Sequence, residues 1–300
     1  MDRETADSAA PPADPGSQSL TVETALRNAT DQLSGSSSAA LDAQVLLGYA
    51  LGKPRSYLLA WPEHSLNASQ QLEFDALIKR RAGGEPVAYI TGEREFWSLS
   101  FKVNKHTLIP RPETELLVES ALELSDLLDT LNGEIHALDL GTGSGCIALS
   151  LAKEKPEWNI HASDFSTQAL DVARHNANQL GINNVKFVQS NWFEQLGTAQ
   201  FDLILCNPPY VADDASQLNE GDVRFEPVTA LTAGADGLDA ISILVTESFQ
   251  RLKANGWIIF EIGYDQADRV AEMVSDTGYN FVLFKKDLAG IRRHCIAHRP

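Results

Sequence analysis

Apolar positions along this chain follow two different periods, and the change between them divides it. From Leu20 to about Gly84 the spacing is helical. Thr21 is a candidate N-cap for a helix carrying Val22, Ala25, Leu26, Ala29 and Leu33, and Gly35-Ser36-Ser37-Ser38 breaks it. A second helix carries Leu41, Val45, Leu46, Tyr49 and Ala50. Pro54 starts a short turn that Trp61-Pro62 ends. A longer helix runs from about Ser69 to Arg81, with Leu72, Phe74, Leu77 and Ile78 apolar, and Gly83-Gly84 stops it. Residues Tyr89 to Asn104 alternate, which predicts a hairpin with turns at Thr91-Gly92 or Ser98. Pro112 at a first helical position, with Glu113 and Glu115 in the first turn, opens a helix through Leu116, Leu117, Ala121 and Leu124.

From Ile135 onward strand and helix periods alternate. Strands are expected at 136–140, 160–164, 185–189, 201–206, 257–262, 281–285 and 294–298. Helices are expected at about 146–154, 167–180, 238–254 and 265–277, with Ser166 as N-cap of the second. Such alternation builds a mostly parallel sheet with right-handed crossovers, a Rossmann-like α/β fold. The predicted organisation is a disordered leader (1–19), a small helical domain (20–86), a linking β-hairpin (87–112) and a seven-stranded domain (113–300).

Composition narrows the function. Apolar residues make up 43% of the chain, enough for a real core, and the net charge is −17. That charge argues against a dedicated nucleic-acid binder, which normally shows a basic footprint. The three cysteines, Cys146, Cys206 and Cys295, form no Cys-x-x-Cys pair and read as reduced thiols of a cytoplasmic protein. The seven histidines do not group at ligand spacing, so no metal site is expected. The leader is neither a signal nor a transit peptide, and no apolar run reaches the roughly 20 residues needed to cross a bilayer.

The chemistry concentrates at two strand ends. The predicted strand Phe201–Cys206 runs into Asn207-Pro208-Pro209-Tyr210. Two prolines stiffen the backbone and push Asn207 out of the helical region. Ligands in open α/β sheets sit beyond the carboxyl ends of strands. A carboxamide held there can grip another –NH2 group, and Tyr210 can cover a flat substrate group. The competing reading is a plain turn starter. At the other strand end, Gly141-Thr142-Gly143-Ser144-Gly145 forms a glycine turn into a helix, with free N–H groups and close backbone approach. Its Gly-x-Gly-x-Gly spacing departs from the dinucleotide fingerprint and favours S-adenosylmethionine over NAD. Asp139, just before the turn, is placed to face the cofactor's ammonium, directly or through water. Asp164, about 20 residues on, suits a ribose diol. Trp192 either lines an adenine pocket or belongs to the core. Arg111, rigid between two prolines, either faces the site or braces the linker.

Together these motifs resemble a class I methyltransferase of the amino-methylating kind. Further segments extend the likeness: Glu95-Phe96-Trp97, Ile109-Pro110-Arg111-Pro112-Glu113-Thr114-Glu115, Glu226-Pro227, Asp236-Gly237-Leu238 and Glu261-Ile262-Gly263 with Gln266. With these the chain, over about residues 20 to 298, resembles the HemK/PrmC family of peptide chain release factor glutamine methyltransferases. The resemblance implies a protein substrate, the glutamine amide of the Gly-Gly-Gln motif in class 1 release factors. It also implies cofactor contacts at Gly141 to Gly145, Asp164, Trp192 and Asn207, and substrate contacts at Asn207, Pro208, Pro209 and Tyr210. A monomer acting in the cytoplasm, with no nucleic acid or membrane as direct partner, is the corresponding expectation. Two rivals remain: a methyltransferase of nucleic-acid amino groups, since Asn-Pro-Pro-Tyr is shared with those enzymes, and a catalytically silent cofactor-binding docking protein.

Overall fold

The computed structural model describes residues 20–129 and 133–300. The expected leader lies outside the described residues. The chain divides into two compact units between Val87 and Ala88.

The first unit is helical: α1 Val22–Gln32, α2 Ala39–Leu51, α3 Arg55–Ala60 and α4 Ala68–Ala82. Thr21 caps α1 as its sequence position suggests. Asn67 and Gln70 form a reciprocal capping box that starts α4 one residue before the apolar pattern does. Leu46, Leu47, Phe74 and Ile78 are buried together with Val22 and Ala25, so the helices share one apolar core. Inside it, the Asp42 carboxylate accepts hydrogen bonds from Ser36, Ser38 and Arg81, which satisfies its buried charge.

The second unit opens with a short helix α5 (Val87–Thr91) and the hairpin β1 (Glu93–Phe96) and β2 (Leu99–Lys102). The hairpin is therefore shorter than the alternation from Tyr89 predicts. Tyr89 sits on α5, and its hydroxyl donates to the Thr107 carbonyl at 2.7 Å. Trp97 and Ser98 make the turn, both at positive φ, and the Trp97 N–H donates to Glu115 at 2.8 Å.

The sheet that follows contains β3 (His136–Leu140), β4 (Asn159–Asp164), β5 (Val185–Gln189), β6 (Phe201–Cys206), β7 (Leu252–Glu261), β8 (Phe281–Lys286) and β9 (Arg292–His298). Their order is β5-β4-β3-β6-β7-β9-β8. β9 pairs antiparallel with both neighbours, and the pairs among the first five strands of that order are parallel. The helices α6 (Glu115–Asp129), α7 (Cys146–Glu154), α8 (Thr167–Leu180), α9 (Asp239–Arg251) and α10 (Ala267–Thr277) cover it. Alternate residues divide between two cores. Ala137, Leu203, Leu205 and Ile259 pack with α6, α7 and the hairpin, whereas Leu138, Ile204, Ile258 and Phe260 pack with α9 and α10. Every residue of β6 is consequently buried, which explains its continuous apolar run. One boundary departs from expectation. α9 ends at Arg251, and Leu252 already pairs with Phe201 as part of β7. The apolar helical period cannot detect that switch, because Leu252 is buried in either state.

The order reverses between β3 and β6, where the first crossovers go one way and the later ones the other. That switch point, with the carboxyl ends of β3, β4 and β6 side by side, is where a doubly wound sheet binds ligand.

Candidate functional site

β3 and β6 are neighbours, with Leu140 opposite Cys206 in register. The glycine turn and Asn207 therefore leave adjacent strands at the same level. Gly141, Gly143 and Gly145 all have positive φ. A Cβ on Gly141 or Gly143 would meet nothing within 4 Å, so both backbones look into open space. Gly145 differs: a Cβ there would stand 3.0 Å from Leu149 and 3.1 Å from Ala173, so this glycine serves close helix packing. The N–H groups of Gly141 and Thr142 donate to the Ser163 carbonyl at 2.8 Å, which ties the turn to β4.

A cavity of about 460 Å³ opens over these strand ends. It is lined by Gly141, Thr142, Gly143, Ser144, Asp164, Trp192, Asn207, Pro208 and Pro209 among others. Two expected site residues fall outside it. Gly145 is turned toward α7 and α8, as above. Tyr210 lines an adjoining recess of about 180 Å³, together with Arg111, Leu218 and Val223. Leu108, Asn207, Pro208 and Ala230 line both spaces and so stand where the two meet.

Asp164 ends β4 and faces the cavity, where its carboxylate accepts N–H bonds from Gly143 at 2.9 Å and Ser166 at 2.8 Å. Burial raises its pKa, and these backbone donors oppose the rise. Each oxygen keeps lone-pair capacity for a ribose hydroxyl. Trp192 sits at φ 49°, a strained backbone for a bulky side chain. It packs against the core with one part and lines the cavity with another, so the two sequence readings are not exclusive. Phe165 adds a second exposed aromatic surface.

Asp139 does not face the cavity, contrary to expectation. It is 1% exposed and lies behind the turn, accepting from the Thr142 hydroxyl at 2.6 Å and the Ala148 N–H at 3.1 Å. Its role is to brace the turn against α7. Burial pushes its carboxyl up to about 7, and the two donors only partly oppose that. Arg111 does both of the things its position allowed: it lines the recess and it is a brace. The buried Glu226 accepts from the Arg111 guanidinium and from the Ile109 N–H at 3.1 Å. That carboxylate links two cavity walls, the irregular segment Lys105–Pro110 and the segment Pro227–Ala230 with its single 3-10 turn.

The carboxamide of Asn207 is itself tethered. Its Nδ2 donates to Thr114 Oγ1 at 3.2 Å, and the Thr114 hydroxyl donates to Glu261 Oε2 at 2.8 Å. The Tyr210 hydroxyl donates to Glu261 Oε1 at 2.8 Å. Behind Tyr210, Gln266 Nε2 donates to the Tyr210 carbonyl at 3.0 Å and to the Gly237 carbonyl at 3.1 Å. Thr114, Glu261 and Gln266 belong to motifs visible in the sequence, but nothing there assigns them a partner.

The residues fit S-adenosylmethionine on the structure's own terms. Glycines without Cβ leave room for backbone approach, an acid suits the ribose, and aromatic faces suit the base. The volume lies within the usual range of about 300–1,000 Å³ for small-molecule sites. Among the described residues no group of His, Cys, Asp and Glu is placed to hold a metal ion.

Comparison with known proteins agrees. Residues 24–92 match the PrmC N-terminal domain and residues 116–224 the methyltransferase small domain. Among solved structures, the hMettl16 catalytic domain in an RNA complex superposes with a TM-score of 0.54 at 20% identity, over 74% of this chain and 81% of that one. A human methyltransferase 10 domain containing protein gives 0.50 at 20% identity, over 68% and 90%. Fold and cavity thus define a class I S-adenosylmethionine-dependent methyltransferase. The release factor glutamine methyltransferase of Vibrio cholerae is 48% identical over 91% of this chain and 94% of its own length, and that of Coxiella burnetii 42% identical over 93% and 99%. The chain belongs to the release factor glutamine methyltransferase family.

Proposed function

We infer that this protein transfers a methyl group from S-adenosylmethionine to a side-chain amide nitrogen of a release factor, N5 of the glutamine in Gly-Gly-Gln, giving N5-methylglutamine, S-adenosylhomocysteine and a proton that the methylated nitrogen releases to solvent. The observation that carries this reading is the position of Asn207 and Pro208, which line both the cofactor cavity and the adjoining recess. A glutamine side chain entering from the recess past Tyr210 would meet the carboxamide where the two spaces join.

An amide nitrogen is a weak nucleophile because its lone pair is delocalised into the carbonyl. When bound, the cofactor supplies a methyl on a sulfonium, an excellent leaving group. What remains for the protein is to hold and aim the nitrogen. Asn207 Oδ1 and the Pro208 carbonyl would accept hydrogen bonds from the substrate –NH2, directing its lone pair and favouring the positive charge that develops on it. Alignment of this kind can be worth roughly 7–11 kcal/mol. The glycine turn, Asp164 and Trp192 would hold the cofactor. The helical first unit would dock the release factor, in a cytoplasmic, monomeric enzyme whose three buried thiols stay reduced.

Asn207→Ala is expected to lower kcat for labelled-methyl transfer to release factor by about 10²–10³-fold. Cofactor affinity by calorimetry should fall much less than kcat, since Asn207 is one of several residues lining the cofactor cavity, and mass spectrometry of the release factor locates the methyl group. Near-normal turnover by this variant would remove the gripping role.

A further inference from the structure

We propose that Glu261 is a positioning residue for methyl transfer, one that decides through the Thr114 hydroxyl which end of the Asn207 carboxamide faces the substrate. The proposal rests on the gripping role of Asn207 given above and adds the device that gives that grip its polarity.

The argument is a count of protons. Glu261 ends β7, next to β6, with Phe260 opposite Cys206 in register. Asn207 and Glu261 therefore leave adjacent strands together. Glu261 is 2% exposed, and both of its oxygens are engaged, one by Thr114 and one by Tyr210, each at 2.8 Å. An ionised carboxylate can only accept. Thr114 is likewise buried, and its hydroxyl has one proton, which goes to Glu261. The oxygen of that hydroxyl is then left to accept, and the Asn207 atom 3.2 Å away must be the –NH2 end. Oδ1 consequently faces the cavity. With the opposite polarity Asn207 would present –NH2 to a substrate –NH2, two donors facing each other with nothing to accept. Glu261 meanwhile anchors the Tyr210 hydroxyl, so a single buried carboxylate sets the direction of every hydrogen bond in Asn207–Thr114–Glu261–Tyr210.

Protonation would break the chain, since a carboxylic acid becomes a donor. Burial raises the Glu261 pKa, while Thr114, Tyr210 and Arg293 of β9 oppose the rise and Glu113, just before α6, adds to it. His294 of β9 lies 3.9 Å away and is itself pushed down to about 4, so it stays neutral at ordinary pH. Cys206 of β6 also feels the Glu261 charge, but its thiol is held well above its usual range and remains protonated. Asp139 of β3 and Asp164 of β4 also titrate near this strand end, both with raised pKa. As pH falls, Glu261 turns from acceptor to donor, and activity should fall with it.

Three variants test this in the full-length protein with release factor as substrate. Thr114→Val keeps the shape and removes the relay, and should lower kcat about 10–100-fold with a clearly smaller change in cofactor affinity, since Thr114 also lines the cavity. Thr114→Ser restores a hydroxyl and should recover most of that loss. Glu261→Gln should lower kcat and also remove the Glu261 share of the acid limb of the kcat–pH profile, shifting that limb relative to the wild type. The proposal is overturned if Thr114→Val stays within about threefold of wild type, if serine fails to rescue, or if cofactor affinity falls in parallel with kcat. A wild-type kcat that shows no acid limb, or an acid limb left unshifted in Glu261→Gln, overturns it too. If Glu261→Gln does not fold, the threonine pair and the wild-type profile decide. A damaging Asn207→Ala with harmless Thr114→Val would leave the gripping role standing and remove only this device.

Discussion

Gly237 shows how narrowly single residues define the recess beside the cofactor cavity. Its φ is +72°, and a Cβ would stand 2.3 Å from the Tyr210 carbonyl oxygen and 2.9 Å from Gln266 Nε2. The Tyr210 backbone is thus pressed between a glycine and an amide clamp, which holds the phenol over the recess while its hydroxyl reaches Glu261. Gly237→Ala must move that backbone. We expect it to cost roughly 1–3 kcal/mol of stability in urea titrations. It should also lower kcat more than it weakens cofactor binding, because Gly237 does not line the cofactor cavity. Equal losses in both would mean that Tyr210 placement is not separable from the cofactor site. At this scale the pattern Asn-Pro-Pro-Tyr locates the carboxamide, and the clamp that makes it rigid comes from Gly237 and Gln266, distant in the chain.

Among the elements, β9 carries an unusual burden. It inserts antiparallel between β7 and β8 and places His294 opposite Glu261 in register. His294 is 0% exposed, and neither ring nitrogen has a hydrogen-bond partner. Burial, with Lys285 and Arg293 nearby, lowers its pKa from 6.5 to about 4. The unfolded chain therefore binds a proton that the folded chain refuses between those values. Such a group contributes stability above pH 6.5, and that contribution is lost as pH falls toward 4. Comparing His294→Gln with wild type by urea titration isolates this term from other acid-sensitive groups. The stability advantage of the wild type should shrink by on the order of 3 kcal/mol between about pH 7 and pH 4. An advantage independent of pH would show that His294 titrates normally. Asp139 has the opposite sign: its raised pKa means stability present below 3.8 and lost as pH rises through about 7, so the difference measurement is essential.

At the scale of the molecule, every residue lining the cofactor cavity lies in the second unit, between Lys105 and Ala230. The first unit has its own apolar core and leaves Leu59, Trp61 and Leu72 largely exposed. If it docks the release factor, the two tasks are separable. A chain beginning at Ala88 should bind S-adenosylmethionine within about threefold of the full chain, while kcat/KM for release factor falls by at least about tenfold. Calorimetry and labelled-methyl transfer read the two quantities independently. Unchanged kcat/KM would leave the helical unit without a docking role.

Local pattern by itself determined the alternation of strands and helices, the glycine turn and the proline-stiffened Asn207, because each follows from periodicity or from the backbone limits of Gly and Pro. It placed β3, β5 and β6 within their observed bounds and Ser166 as the cap of α8. Its errors arose where local preference was indifferent: Leu252 suits a buried helix as well as a buried strand, and Asp139 beside a glycine turn suits ligand as well as brace. Only the tertiary structure decided that Asp139 lies behind the turn, that Arg111 pairs with Glu226, that Tyr210 belongs to the recess, and that Thr114 and Glu261 are hydrogen-bonded in line with Asn207. Those outcomes depend on hydrogen-bond partners such as Thr114 and Glu261, 147 residues apart along the chain. A hydroxyl's donor direction is set by what it touches, and contact at that separation exists only once the sheet has formed.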